Sequence, residues 1–465
     1  MCTFNSRFRS FYRRLRIVVP FLLILAIAYA KSAFCAPLAT GPMPCADETI
    51  CDVLVVGGGS AGVPAAIQAA RLNAKTVLLE SGFQVGGNAT SGGVAFPGLY
   101  HAQGRQVIAG IGWEWVAKTV DLGNGKFPDF SKPGLRHWEY QIKVNGPLYA
   151  IVAEQLCLEA GVYVRYYESP VFVQKETTDR PDGLRWKVIT ASQGELRRIL
   201  CKQMVDCTGN GSLCALAGCE RMKEADTQPG TFYCCIKHSV QINDENRAII
   251  RALYDQALTS GELKPDDPAN QVLEGRQIDS YYIYPADNST GELRSQTNIK
   301  ARQMALRTLK FIRTLPGGET AQLISTCPET GVRETWRVKG RLVISVEDYM
   351  TGKVWDDSVC FAYYPVDLHQ FKTGVQPKQL EPNVVPTVPL RALLPAGVDN
   401  ILTAGRCLSA DRLANSGLRV QAVCQATGQA AGAAAALAVQ KNISPDKVSI
   451  PELKDILRKN QALVP

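Results

Sequence analysis

The sequence predicts an α/β protein built on a parallel sheet, with a second α+β region inserted in it, on three observations. First, an apolar run, Cys51-Asp-Val-Leu-Val-Val56, of the kind buried on both faces of a parallel sheet, meets the glycine-rich turn Gly57-Gly-Gly-Ser-Ala-Gly62. Second, a small-residue helix over Val63–Leu72 leads into another strand, Lys75-Thr-Val-Leu-Leu-Glu80, completing a βαβ unit of about 30 residues. Third, about 300 residues later by count along the chain, Asn400-Ile-Leu-Thr-Ala-Gly405 precedes an Ala/Gly/Gln-rich helix over 418–440.

The remaining elements follow in order. Pro64 is tolerated because it falls in the first turn of its helix. Pro147–Ala160 reads as an amphipathic helix and Val162–Tyr167 as a strand. Segments 171–176, 184–191 and 195–206 form a β-meander, turning at Pro181-Asp-Gly183 and near Gln193-Gly194. Residues 226–325 change character, with helical patterns over 244–260 and 297–314 and Pro/Asp-rich turns between them. A charged strand-like stretch returns from Gly331 to Val346, and Pro-rich turns fill 382–395. The implied organisation is a leader (1–36), a linker (37–49), a first cofactor segment (50–225), an inserted substrate or cap domain (226–325), a substrate-side segment (326–380) and a C-terminal cofactor segment (381–465).

Hydrophobic residues make up 46% of the 465 and charged residues 20%, which excludes disorder, collagen and a multi-span membrane protein. The net charge of +8 misleads, because Arg7, Arg9, Arg13, Arg14, Arg16 and Lys31 all precede the first acidic residue. Without them the chain is nearly balanced, so no nucleic-acid partner is expected. Those residues introduce an apolar run, Ile17–Ala30, and small residues around Ala33–Ala36, the pattern of a secretory signal cleaved after Cys35 or Ala36. An export address, periplasmic or extracellular, is therefore expected; left uncleaved, the leader would instead anchor the chain to a membrane. Arg13-Arg14 invites a twin-arginine reading, which Leu15-Arg16-Ile17 fits poorly. Four glutamines and Arg419 argue against the 418–440 helix as a membrane span.

With Cys2 and Cys35 in the leader, an odd number of cysteines remains, and buried small hydrophobes are the expected role for most; Cys45–Cys51 and the adjacent Cys234-Cys235 are the candidate pairs. The run Cys201, Cys207, Cys214, Cys219 lacks zinc-ligand spacing, and no metal site is expected. Sequons at Asn88, Asn210, Asn288 and Asn442 matter only where the source glycosylates.

The chemistry sits in the glycine turns. In Gly57-x-Gly59-x-x-Gly62 the first glycine makes the tight turn and the second admits a pyrophosphate. The third lets helix pack on strand, and the amides of Ser60 and Ala61 face the anion. Glu80 ends the next strand, placed to accept hydrogen bonds from an adenosine ribose. A second small-residue loop, Gln84-Val-Gly-Gly-Asn-Ala-Thr-Ser-Gly-Gly93, offers Gly86, Gly87, Asn88, Ser91 and Gly92 as close backbone for an extended cofactor such as FAD rather than NAD alone. Gly405 and Arg406, with Arg419 and Val420 opening the last helix, would meet the N1/O2 edge of a flavin.

With Asp206-Cys-Thr-Gly209, Gly331-Val-Arg-Glu-Thr335, Arg337 and Tyr364-Pro-Val-Asp-Leu-His369 added to these motifs, the chain resembles the FAD-dependent oxidoreductases of the glutathione-reductase type of dinucleotide fold, and among them a mostly uncharacterised bacterial group. It is distantly similar to fumarate reductase and succinate dehydrogenase flavoproteins. The likeness runs from about 50 to 440. It implies a Rossmann-like FAD-binding domain with a β-meander, a return to the cofactor at Thr208 and Gly209, and adenine contact through Val171–Val173, Val173 included. Two departures stand out: Trp336 replaces a usual arginine, and Arg406-Cys407 replaces the acid that in many related flavoproteins binds the ribityl chain. His101-Ala-Gln-Gly104 echoes the flavin-linked histidine region of the succinate dehydrogenase flavoproteins, but the matching stretch 86–93 has no histidine, so non-covalent FAD is expected.

His101 and His369 are the acid/base candidates, lying in cofactor-proximal segments. Arg333, Arg337 and Arg341, four apart, would share one side of a helix or a strand and clamp an anionic substrate group. The expected reaction moves hydride between a small substrate, anionic or a sugar or hydroxy acid, and flavin N5. It runs either as oxidation beside a hydroxyl or amine or as reduction of an activated double bond. The electron acceptor is not indicated by the sequence, which has no iron–sulfur pattern. The alternative is a FAD-binding electron-transfer or non-catalytic subunit of a secreted assembly.

Overall fold

The computed structural model describes residues 45, 47–132, 136–176, 182–370, 374–375 and 377–465. The leader 1–36, most of the linker 37–49 and Pro181 of the predicted turn lie outside the described residues. Residues 47–465 pack as one compact unit.

The frame is a seven-stranded sheet. Its central strands are β1 (Glu48–Val56) and, across a helical crossover α1 (Gly62–Arg71), β2 (Thr76–Glu80). Helices α2 (Ile111–Leu122) and α3 (Gly146–Glu159) then lead to β3 (Tyr163–Tyr166), which lies parallel to β2 on its outer edge. The meander β4 (Ser169–Lys175), β5 (Trp186–Ser192) and β6 (Glu195–Asp206) is antiparallel. The resulting order is β3-β2-β1-β6-β5-β4. The 12-residue β6 is the hinge of this topology. One edge runs parallel to β1 from Arg198 to Asp206. Its other edge carries β5 antiparallel up to Cys201 and then, from Met204 to Asp206, the late strand β10 (Ile401–Thr403) in parallel. Strand ends from residues 56, 206 and 403 are thereby brought side by side, the place where open α/β sheets hold ligands.

A second layer has its own apolar core. Strands β7 (Gly230–Lys237), β8 (Ile278–Ile283) and β9 (Gln322–Thr326) form an antiparallel sheet with β7 central. Helices α4 (Arg247–Ser260) and α5 (Gly291–Ile312) cover it around Phe232, Ile236, Ile250, Met304 and Ile312.

One expectation changes. The Gly331–Val346 stretch is no continuous strand: Arg337–Val338 pairs with Arg221–Met222, single bridges join Gly331 to Thr231, Gly340 to Pro395 and Ile344 to Ala410, and the rest is irregular. The final helix, expected over 418–440, runs unbroken as α6 (Gln421–Lys441); a separate short helix, Arg412–Leu418, precedes it, and Arg419 and Val420 between them line the cavity. Helix α6 is the one described helix long and apolar enough to span a membrane, yet 89% of that window is buried inside the protein. Its small residues explain why. A Cβ on Gly428 would lie 2.0 Å from the Ala61 carbonyl oxygen, and one on Gly432 would lie 2.1 Å from that of Ala65. The two helices touch backbone to backbone. Every described cysteine is a free thiol, Cys45, Cys51, Cys234 and Cys235 included.

Candidate active site

A cavity of about 1160 Å³ opens where the three strand ends meet. At one end the wall is almost all backbone. Gly57 has φ +97°, and a Cβ there would stand 2.5 Å from the Cys207 carbonyl oxygen. A Cβ on Gly62 would fall 1.7 Å from the Gly57 oxygen, so Gly62 serves helix–strand contact and does not line the cavity. Gly59 differs: the nearest protein atom to a Cβ there is Gly87 Cα at 3.9 Å. The protein itself leaves room for a side chain at 59; the space belongs to whatever occupies the cavity. The amino end of α1 has no side-chain cap, Ala61 standing at the N-cap, and no acid in its first turn. Glu80 is held by two amides, with Oε2 accepting from Gly58 N at 2.7 Å and Oε1 from Gly82 N at 2.6 Å.

The second glycine loop folds over this turn. Gly86, at φ +105°, donates from its amide to the Gly58 oxygen at 2.8 Å. Gly87, Asn88 and Ser91 line the cavity, whereas Gly86 and Gly92 shape the loop behind it. A Cβ on Gly92 would approach the Asn88 oxygen to 3.0 Å. Thr208, Gly209, Gly405, Arg406, Arg419 and Val420 also line the cavity. Val173 does not: it is buried in the sheet core, and the strand's earlier residues Ser169 and Pro170 form the wall. Val173 is therefore corrected, the register being displaced toward the start of β4.

The other end is built of side chains from distant segments. His369 Nε2 lies 3.0 Å from Asp367 Oδ2, while its Nδ1 is sealed from solvent and has no partner. Arg419 donates from Nη2 to the Asp367 carbonyl oxygen at 3.2 Å and lies 3.5 Å from its carboxylate. Arg333 Nη1 donates to the Pro229 carbonyl oxygen (2.6 Å) and to Thr231 Oγ1 (3.0 Å). Tyr282 of β8 reaches in from the second layer, its ring 5.1 Å from the Arg333 guanidinium and edge-on to His369 at 5.7 Å. A buried relay positions the histidine: Arg412 pairs with Glu334 at 2.6 Å, Glu334 accepts from the Gln228 amide at 2.7 Å, and Gln228 Oε1 accepts from His369 N at 3.0 Å.

The charges follow from this packing. Burial lowers the His369 pKa; Asp367 pushes it back up, and Arg333 and Arg419 push it down. Burial raises Asp367, but the hydrogen bond from His369 and the nearby arginines hold it below its ordinary value. Arg333 is lowered to about 10 by burial and by Arg419. Tyr364, bonded to Gln141, is pushed up to about 12 by burial.

Three arginines expected to converge do not. The 333–341 stretch is irregular, so equal spacing puts them on no common face. Arg337 is 3% exposed, paired with Glu224 at 2.7 Å and donating to the Ala410 carbonyl oxygen, outside the cavity. Arg341 pairs with Asp399 and Asp446, each at 2.8 Å. Only Arg333 faces the cavity. His101 is corrected likewise: it stacks on Phe130 at 3.8 Å and meets Trp113 edge-on, away from the cavity lining. Reasoning from sequence missed Tyr282, Gln228 and the Arg412 that anchors the relay, which no local motif marks, and Glu334, which lay within the quoted Gly331–Thr335 segment. Asp367 lay within the quoted Tyr364–His369 segment, two residues from its histidine, which was the available signal. The sequon residues Asn88, Asn210 and Asn288 all line the cavity.

A crossover turn shaped for a diphosphate, an acid held for a ribose, and unpartnered donors around one elongated cavity define a dinucleotide-dependent α/β protein. Residues 52–457 match the family of FAD dependent oxidoreductases, and the chain belongs to that family. It is an FAD-dependent oxidoreductase, and the residues of the turn, of Glu80 and of the 86–91 loop are those that would hold FAD. No curated protein matches the chain. Among solved structures it is similar to a geranylgeranyl bacteriochlorophyll reductase-like protein from Thermoplasma acidophilum, at 13% identity over 90% of this chain and 85% of that one, with a TM-score of 0.41. The myxobacterial chondrochloren halogenase CndH matches at 12% identity over 89% and 79%, TM-score 0.40. The anhydrotetracycline hydroxylase OxyS from Streptomyces rimosus matches at 14% identity over 88% of this chain and 65% of its own, TM-score 0.36.

Proposed function

We propose that the chain is an exported enzyme that moves hydride between a small organic substrate with an anionic group and the N5 atom of non-covalently held FAD. The observation that carries this reading is the His369–Asp367 dyad, set beside Arg333 and Arg419 in the cavity of the glycine-rich turn. When bound, the flavin supplies a two-electron acceptor or donor. The chain's own residues do the rest. Arg333 and Arg419 bind the substrate's anionic group and orient it. His369 lines the cavity, and with Nε2–H donated to Asp367 its unpartnered Nδ1 is the base that takes the proton of a hydroxyl or amine; in the reductive direction the same atom returns it. Tyr282 of the second layer packs edge-on against the His369 ring and over the Arg333 guanidinium, holding both in orientation.

The test is an anaerobic screen of hydroxy acids, sugars, amines and unsaturated acids against the purified protein. An enzyme of this kind loses its flavin absorbance near about 450 nm with one class of substrate. A yellow protein bleached by none of them would favour the electron-transfer or non-catalytic subunit instead. Flavin recovered in the supernatant after acid precipitation supports non-covalent binding, for which the position of His101 outside the cavity lining also speaks. Export rests on the 1–36 leader alone. A mature chain beginning near residue 36 or 37 supports it, and an intact leader would favour a membrane anchor. No nucleic-acid partner is part of this reading.

A further inference from the structure

The cavity is lined by four arginines and four acids, and their pairing is uneven. Arg419 faces Asp367, and Arg294 is paired with Glu329. Glu168 pairs with Arg165 at 2.7 Å, and Glu80 is held by the Gly58 and Gly82 amides. Arg333 donates to neutral oxygens at the substrate end. Arg406 remains. Its Nη2 donates to Asn210 Oδ1 at 2.8 Å, its Nη1 is sealed from solvent with no partner, and no carboxylate among the described residues lies within ion-pair distance. Burial lowers its pKa to about 10, yet it stays charged at neutral pH.

Its position identifies what it meets. Gly405, the residue before it, lies against α1, a Cβ there standing 2.8 Å from Ala61 Cβ. The guanidinium lies over Gly209, within 2.9–3.4 Å of a Cβ built there. Thr208, just before Gly209, is itself 2.8 Å from a Cβ on Gly57, the first residue of the glycine turn. The cation thus borders the uncapped amino end of α1. There the helix supplies only partial positive charge; of the other arginines lining the cavity, Arg419 and Arg294 have carboxylate partners, and Arg333 is bonded to neutral oxygens at the substrate end.

We propose that Arg406, in the position where an acid was expected, is the cation that neutralises the cofactor's diphosphate, with Asn210 as the residue that positions it. This rests on FAD binding and not on the hydride-transfer reading. A cavity-lining guanidinium with no carboxylate partner among the described residues is an uncompensated charge; a diphosphate oxygen is the acceptor that suits it, by a charge-assisted bond.

The test uses the full-length holoprotein. FAD release on dilution is followed by the gain in flavin fluorescence, and ADP and adenosine then compete for rebinding. Arg406→Gln should weaken both FAD and ADP by about tenfold or more and leave adenosine unchanged, with Arg406→Lys recovering most of the loss. Asn210→Asp keeps the arginine in place but gives it a carboxylate partner. It should weaken ADP in the same way, and it decides the matter if the arginine variants fail to fold. ADP affinity within twofold of the parent in Arg406→Gln or Asn210→Asp would overturn the proposal. So would an equal loss for ADP and adenosine. A shifted flavin potential with unchanged ADP binding would also overturn it, placing the charge at the isoalloxazine. None of these outcomes depends on whether any substrate bleaches the flavin.

Discussion

The two ends of the cavity are built by opposite means. At the adenosine end, residues 56–91 supply the turn, the acid and the covering loop, and most contacts are backbone. At the reaction end, side chains arrive from five places: β8, the 333–334 bend, 364–369, Arg412 and Arg419. Binding a diphosphate needs amides and close approach, which a short contiguous stretch can provide. Orienting one proton-transfer group in a dry site needs several side chains locked from different directions, and that takes long-range packing.

The glycines give the strongest way to break this contrast. Gly62→Val should yield insoluble or flavin-free protein, because even a Cβ would overlap the Gly57 carbonyl. Gly59→Ala, by contrast, has room in the protein and should keep the melting temperature of the flavin-free form while losing flavin content. Equal thermal destabilisation in both variants would show that the space at 59 is structural. At the other end, His369→Asn should keep the 450 nm flavin band and lose about 10²–10⁴-fold in turnover with whichever substrate bleaches it. Loss of flavin in that variant would remove the histidine from the proton-transfer role.

Arg337→Met sharpens the boundary of the reaction end. Having lost its bond to Ala410 and its pairing with Glu224, it should cost about 1–3 kcal/mol in denaturant unfolding, with KM unchanged. A raised KM would bring Arg337 back into the site. The smallest effect is on pH. Burial and the two arginines favour neutral His369, so in the oxidative direction the acid limb of kcat/KM should fall below 6.5, the ordinary histidine value. Asp367→Asn removes what raises the pKa and should move the limb further down; Arg333→Gln removes what lowers it and should move the limb up. Both limbs moving the same way would separate the profile from His369.

Much of the frame was legible. The βαβ unit, the meander and the helices over 146–159 and 247–260 follow local periodicity, and the structure places them within a few residues. Arg337 and Arg341 were misread because spacing implies a shared face only where the backbone is regular, and around 333–341 it is not; His101 was placed by its nearness in sequence to the cofactor loop, and its ring packs instead on Phe130 and Trp113. Val173 was a register error of a few residues, which turns a cavity wall into sheet core.

By itself, the order of residues determined the cofactor turn, because a glycine that must admit a carbonyl, a glycine that must admit a ligand and an acid one strand later all lie within 24 residues, from Gly57 to Glu80. Only the tertiary structure decided which arginines face the cavity and which histidine is paired with a carboxylate. Those choices depend on contacts between segments up to about 140 residues apart, as in His369 with Gln228, and no local pattern encodes them.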